Sequence, residues 1–137
     1  MREINKIIIH CSDSDHRSYD FDAIYNDHVN VNGWSNIGYH YGIDHDANIH
    51  VLRSVIYNGA HTRGHNKDSI GICVLGRSLF SVAQKEKLAD LVSTLLQLTN
   101  LDSKDVYPHN YFNKDKTCPN IDIDEWKITY LQDKLWL

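Results

Sequence analysis

Three stretches of the chain carry the apolar patterns of β-strands. Residues 6–11 (KIIIHC) are almost entirely apolar and rich in β-branched side chains, as in a central strand covered on both faces. Residues 69–75 (SIGICVL) form a similar run that ends at Gly76, because glycine commonly interrupts a strand. Between these runs, residues 39–44 and 48–53 are two strand-like segments joined by a polar turn, which predicts a hairpin.

The clearest helix is predicted to begin after Ser81. Ser81 and Gln84 stand three residues apart, so each side chain can bond the backbone N–H of the other in a capping box. The apolar residues that follow form one stripe along a helix: Val82, Leu88, Leu91, Val92, Leu95 and Leu96. We expect this stripe to cover one face of the sheet.

Two weaker helical patterns lie on either side. Residues 20–31 space their apolar side chains at three and four positions, which is typical of an amphipathic helix. Residues 122–135 predict a last helix that buries either Trp126 or Ile128 together with Leu131. The order strand, helix, hairpin, strand, helix, short strand, helix therefore predicts an α/β fold with a central mixed sheet flanked by about three helices.

Length and composition fit one folded domain over residues 1–137. Apolar residues make up 42% of the chain and charged residues 23%, as in ordinary globular proteins. The net charge is -4 and the basic residues are scattered, which argues against nucleic-acid binding. We expect a monomer.

The first residues, MREINKIIIH, contain neither a signal peptide nor a membrane-spanning stretch. This indicates synthesis in the cytoplasm and no membrane partner. The three cysteines are an odd count without paired spacing, so we expect free thiols rather than a disulfide framework. Cys73 is expected in the core.

The segment PHNYFNKDKTCPN carries the strongest local signal for a metal site. A catalytic zinc ion needs three protein ligands and an open fourth position. His109 and Cys118 could supply two ligands, and His10, at the end of the first strand, is the best placed of the other histidines. Spacing alone is weak evidence, because a single histidine is commonly structural and a lone cysteine is commonly a small buried hydrophobe.

Four segments, taken together, are far more specific than any one of them. They are IIIHCS at residues 7–12, GWSNIGYHYGI at 33–43, GAHTRGHNKDSIGICVLG at 59–76, and KTCP at 116–119. In this order the chain resembles the zinc-dependent N-acetylmuramoyl-L-alanine amidase superfamily, which includes the peptidoglycan recognition proteins. It is most similar to the short, single-domain phage lysozymes of the amidase type.

The resemblance implies one catalytic Zn²⁺ held by His10, His109 and Cys118. It also implies that Tyr39 and Lys116 are needed to hydrolyse the bond between N-acetylmuramic acid and L-alanine in bacterial peptidoglycan. Either residue could stabilise the oxyanion or pass a proton, and the sequence does not assign the general base between them. A phage endolysin of this kind would act on the periplasmic cell wall after release from the infected cell.

Further residues of the matching segments are expected near the substrate. His61, His65 and Asn66 belong to one loop of the predicted groove, and Trp34 packs either beneath that groove or in the core. His40 alternates with Tyr39 and is expected to be structural. The stretch between His109 and Cys118 is about one residue longer than in the phage lysozymes, which bears on where Lys116 points.

Three other functions remain open. A non-catalytic recognition module would bind muropeptides without cutting them, although such modules typically lack the cysteine ligand present here as Cys118. A cytoplasmic amidase that recycles soluble anhydro-muropeptides would equally lack a signal peptide. A structural zinc domain would need a fourth ligand, and none with obvious spacing is visible.

Overall fold

The computed structural model describes residues 2–135. Its centre is a five-stranded sheet in the order β3-β2-β4-β1-β5. The strands are β1 (Lys6–Cys11), β2 (Tyr41–Ile43), β3 (Ile49–Val51), β4 (Ser69–Val74) and β5 (Val106–Pro108). Strand β1 runs parallel to β4 and β5, β2 runs parallel to β4, and β3 is antiparallel to β2. The predicted mixed sheet is confirmed.

The central strands match their predicted positions, whereas the hairpin strands are shorter than expected. Strand β1 has the predicted bounds, and β4 ends one residue early. The backbone N–H groups of Leu52 and Arg53 donate to the carbonyls of His40 and Tyr39. These donors and acceptors are adjacent residues, whereas a regular antiparallel ladder uses alternate ones, so the regular pairing ends before them.

The helical segments lie in three parts of the chain: before β2, between β4 and β5, and after β5. The helical segments are α1 (Phe21–Tyr25) with a π-helical continuation (Asn26–Val31), α2 (Val82–Thr99), α3 (His109–Phe112), α4 (Ile123–Trp126), a π-helical turn (Lys127–Leu131) and α5 (Gln132–Leu135). Short 3-10 turns cover Asn66–Asp68 and Ser103–Asp105. None of the helices within residues 2–135 has the length and apolar character needed to cross a lipid bilayer.

Helix α2 forms as the sequence predicts, with one correction. Ser81 and Gln84 make the reciprocal capping box, and Leu88 is fully buried. Val82 is 60% exposed and does not join the stripe, because it lies roughly 110° around the helix from the stripe's centre at 3.6 residues per turn. Gln84 occupies the buried position instead, and its amide donates to the carbonyls of Asp44 and Leu75.

The last helical stretch resolves the alternative left open by the sequence. Trp126 is buried and its indole N–H donates to the carbonyl of Lys85 on α2. Ile128 is 68% exposed. Leu131 is fully buried, as expected. The chain from α4 to α5 therefore packs through Trp126 and Leu131.

The two faces of the sheet have different coverings. One face carries Ile7, Ile9 and Ile72, which pack with α2 and the final helices in the larger core. The other face carries a smaller core around Phe21 and Cys73. His10 points away from the larger core because side chains alternate along β1. Since β1 and β5 are parallel, their carboxyl ends lie at the same edge, where the candidate site forms.

Candidate metal centre and active site

Three side chains from distant parts of the chain meet at the carboxyl ends of β1 and β5. His10 lies one residue before the end of β1, His109 immediately follows β5, and Cys118 lies in the loop beyond α3. One potential ligand atom from each residue lies within 4.8 Å of the others. The imidazole centroids of His10 and His109 are 4.3 Å apart.

Backbone hydrogen bonds hold the segment between His109 and Cys118 in place. The N–H of Asn110 donates to the carbonyl of Cys118 at 2.9 Å, which closes the segment into a compact loop. The backbone N–H of Cys11 donates to Cys118 Sγ at 3.0 Å. Strand β1 therefore positions two members of the cluster, His10 through its side chain and Cys118 through this backbone contact.

The donor set fits a catalytic zinc ion. Two imidazole nitrogens and one sulfur are ligands that zinc prefers, and three protein ligands leave one position for solvent or substrate. Within residues 2–135, His10, His109 and Cys118 form the only cluster of three or more potential metal-ligating side chains. His10 is buried, whereas His109 and Cys118 are partly exposed, so the cluster opens towards solvent on one side.

The protonation of the two histidines favours metal binding. Burial, together with His61 and His109, holds the pKa of His10 well below its usual value. Burial and the positive charge of Lys116 lower the pKa of His109. Both rings are therefore neutral at neutral pH, the form in which imidazole binds a metal.

Cys118 has the opposite electrostatic environment. A hydrogen bond with the Cys11 thiol, together with burial, raises the pKa of Cys118. The thiolate, which is the ligand form, is therefore disfavoured in the metal-free protein. A divalent cation at this position would reverse that preference, because a coordinated thiol loses its proton.

Tyr39 lies beside His10, whereas Lys116 lies near His109. The Tyr39 ring centroid is 5.2 Å from that of His10. Burial raises the pKa of Tyr39 well above its usual value, so its hydroxyl keeps its proton and can donate a hydrogen bond. Lys116 is exposed on the loop, close enough for its charge to act on His109.

Two of the predicted substrate-binding residues present exposed or partly exposed rings beside this site. Trp34 is 38% exposed, and its ring lies 4.5 Å from that of His28. The His28 ring in turn lies 5.8 Å from Tyr39. On the loop before β4, the His65 ring lies 4.1 Å from that of Phe112 on α3.

The other two predicted substrate-binding residues make contacts within the protein. Asn66 Oδ1 accepts hydrogen bonds from the backbone N–H groups of His61 and Thr62, both at 2.9 Å. His61 Nδ1 lies 2.8 Å from His10 Nε2. Asn66 therefore orders the loop, and His61 lies directly against a predicted metal ligand.

Sequence patterns missed Thr62 and Ser69. Thr62 is 3% exposed, and its Oγ1 lies 3.2 Å from His10 Nε2. Ser69 is fully buried, and its Oγ lies 3.2 Å from His61 Nε2. A hydroxyl residue next to His61 in GAHTRGH was the only sequence signal, and it does not indicate which ring the hydroxyl meets.

His40 and the remaining cysteines have structural surroundings. His40 is fully buried; its Nδ1 accepts a hydrogen bond from the N–H of Gly71, and its Nε2 bonds the carbonyl of Tyr57. Cys73 is fully buried in the smaller core. Cys11, Cys73 and Cys118 are all free thiols.

Known proteins share both the sequence pattern and the fold. The chain is 30% identical over 102 residues to the endolysins of Enterobacteria phage T3 and Escherichia phage T7. These alignments cover 69% of this chain and 66% of each relative, so the chain spans just under two thirds of their length. The solved structure of the N-acetylmuramoyl-L-alanine amidase LysC from Clostridium intestinale URNW superposes with a TM-score of 0.77 at 25% identity. That superposition covers 93% of this chain and 85% of LysC.

The model of the family described as N-acetylmuramoyl-L-alanine amidase matches residues 1–121. This span includes all five strands and every residue of the candidate metal centre. The chain belongs to the N-acetylmuramoyl-L-alanine amidase family.

Proposed function

We propose that this chain is a zinc-dependent N-acetylmuramoyl-L-alanine amidase whose single domain spans residues 1–137. Its reaction is hydrolysis of the amide bond between N-acetylmuramic acid and L-alanine in bacterial peptidoglycan. The convergence of His10, His109 and Cys118 is the observation that carries this proposal. Family membership and the similarity to phage endolysins support it.

His10, His109 and Cys118 would hold the zinc ion. When bound, zinc supplies Lewis-acid polarisation of the scissile carbonyl and lowers the pKa of water. Buried His10 provides a fixed ligand, because β1 has strands on both sides. His109 and Cys118 close the site from one short segment that contains α3, and their partial exposure leaves the remaining side open to substrate.

Tyr39 and Lys116 act on the charge that develops during hydrolysis. The protonated Tyr39 hydroxyl donates a hydrogen bond to the carbonyl oxygen as negative charge builds on it. The Lys116 ammonium supplies positive charge near His109. Either group can deliver a proton to the leaving amine of L-alanine.

The substrate lies across the open side of the metal centre. Trp34 supplies an exposed aromatic face for the glycan or the stem peptide. His65, backed by Phe112, forms another wall of this groove. Asn66 shapes that wall by ordering the loop backbone.

The similarity to phage endolysins supports a role in lysis. The enzyme would be made in the cytoplasm of the infected cell and would reach the periplasmic wall after a separate factor permeabilises the membrane. We propose that it acts there as a monomer, with peptidoglycan as its partner and without nucleic-acid or membrane binding.

Digestion of purified peptidoglycan tests the reaction. The protein is incubated with the wall material after chelator treatment and after zinc is restored, and soluble products are identified by mass spectrometry. Free stem peptides that begin at L-alanine, released only with zinc, are the expected products. Cut glycan strands, or binding without release of peptides, would overturn the proposal.

A further inference from the structure

We infer that His61 is a positioning residue that fixes the tautomer of His10, leaving His10 Nδ1 as the nitrogen available to the metal. This inference rests on the zinc site of the proposed function. It gives His61 a role behind the ligand instead of in the substrate groove.

The hydroxyl of Ser69 determines the tautomer of His61. Ser69 Oγ donates its single hydrogen to the carbonyl of His65 at 2.6 Å. Ser69 Oγ also lies 3.2 Å from His61 Nε2. Because its hydrogen is already used, the oxygen must accept in the second contact. His61 therefore carries its proton on Nε2.

The tautomer of His61 in turn determines that of His10. A neutral imidazole carries one proton, so His61 Nδ1 is bare and accepts hydrogen bonds. His10 Nε2 lies 2.8 Å from this atom and must supply the hydrogen between them. His10 is then protonated on Nε2, and its Nδ1 keeps a free lone pair.

Thr62 completes the arrangement. Its Oγ1 lies 2.9 Å from His61 Nδ1 and 3.2 Å from His10 Nε2. The hydroxyl can share the single lone pair of His61 Nδ1 with the His10 N–H and can also accept part of that N–H. Every hydrogen in the group then has an acceptor, in keeping with the rule that buried polar atoms are paired.

The surrounding backbone is shaped to hold the His61 ring. A Cβ added to Gly71 on β4 would lie 2.5 Å from His61 Cγ and Cδ2. Glycine at this position therefore makes the space in which the ring sits. Asn66 fixes the loop from the other side through the backbone N–H of His61. Such partners behind a metal-bound histidine orient it and raise its affinity for the metal.

Replacement of His61 by two side chains with the same branched skeleton, Asn and Leu, separates this role from simple packing. In His61→Asn, the amide oxygen can take the place of Nδ1 and accept from His10. In His61→Leu, no acceptor remains, although the branching of the side chain is the same. We expect His61→Leu to bind zinc 10- to 100-fold more weakly than the wild type, and His61→Asn to recover most of that loss. Zinc affinity is measured by competition with a chromophoric chelator.

Nitrogen-15 NMR of the metal-free wild-type protein tests the tautomers without any substitution. We expect the proton on Nε2 in both His10 and His61. A proton on His10 Nδ1, or equal zinc affinity in the Asn and Leu variants, would overturn the inference. Failure of the wild type itself to bind zinc would instead overturn the proposed function, so the two failures are distinguishable.

Discussion

At the scale of single residues, Cys118 carries the sharpest test of the metal centre. Cys118→Ser replaces a soft, ionisable sulfur by a hydroxyl that rarely ligates zinc. We expect the folded variant to lose both zinc and wall hydrolysis, as measured by metal content and by clearing of a peptidoglycan suspension. Circular dichroism supplies the control for folding. A folded variant with full zinc content would show that another side chain completes the site.

Lys116 is expected to serve the reaction without holding the metal. Lys116→Ala should retain zinc and lower kcat by about 10²- to 10³-fold, because one group that stabilises the transition-state charge is removed. Lys114→Ala is the matched control, since Lys114 lies on the same loop but sits 5.1 Å over the ring of Tyr111. Steady-state rates on purified peptidoglycan separate the two variants. Equal rates for both would place Lys116 outside the reaction.

At the scale of elements, apolar runs and capping motifs predict the central strands and α2, whereas the packing of distant segments is not visible in the sequence. Strand β1 and the capping box of α2 follow from neighbouring residues, so the sequence predicts both. The sequence does not predict helix α3, because its four residues carry no periodic pattern. The three predicted metal ligands meet because β1 and β5 are parallel neighbours. Residue spacing is weak evidence for this group, and the family resemblance makes it specific.

The partners of the His61 side chain are likewise not predictable from neighbouring residues. The motif GAHTRGH indicates a functional loop but not the direction of its side chains. Ser69 and Gly71, which surround the ring, lie on β4 and look like ordinary strand residues in the sequence. The partners of His61 therefore appear only when the loop is seen against the sheet.

The close packing of β4 against the His61 ring can be tested by replacing Gly71. Gly71→Ala places a methyl group against the His61 ring, so the ring or the loop must shift. We expect a lower free energy of unfolding, by about 1–3 kcal/mol for overpacking, together with weaker zinc binding. Thermal unfolding of the metal-free protein and chelator competition measure the two effects.

A double variant provides the control for this prediction. In Gly71→Ala/His61→Ala the imidazole ring is absent, so the clash is removed. The effects of the two substitutions on the free energy of unfolding should therefore be non-additive. Zinc affinity should stay low in the double variant because the acceptor for His10 is still missing. Additive stability losses would show that Gly71 does not act through His61.

At the scale of the whole molecule, the larger apolar core and the histidine cluster lie on different faces of the sheet. The larger core, with α2 and the final helices, lies on one face, and the smaller core lies on the other. The neutral histidines lie on the face of the smaller core or at the edge of the sheet. His40 joins three separate segments there, because its ring bonds Gly71 and Tyr57 and lies 3.1 Å from the Arg2 guanidinium. Its protonation should therefore affect the unfolding of the whole domain.

Burial lowers the pKa of His40 from 6.5 to about 4. Between these values the unfolded chain binds the proton and the folded chain does not, so the free energy of unfolding rises with pH. The contribution of His40 is complete above pH 6.5 and is lost as the pH falls towards 4, to a total of about 3 kcal/mol. His40→Asn keeps an acceptor for the N–H of Gly71 but does not titrate in this window. Denaturant unfolding of both metal-free proteins across this pH range should give a flatter profile for the variant, and parallel profiles would assign the acid sensitivity to other groups.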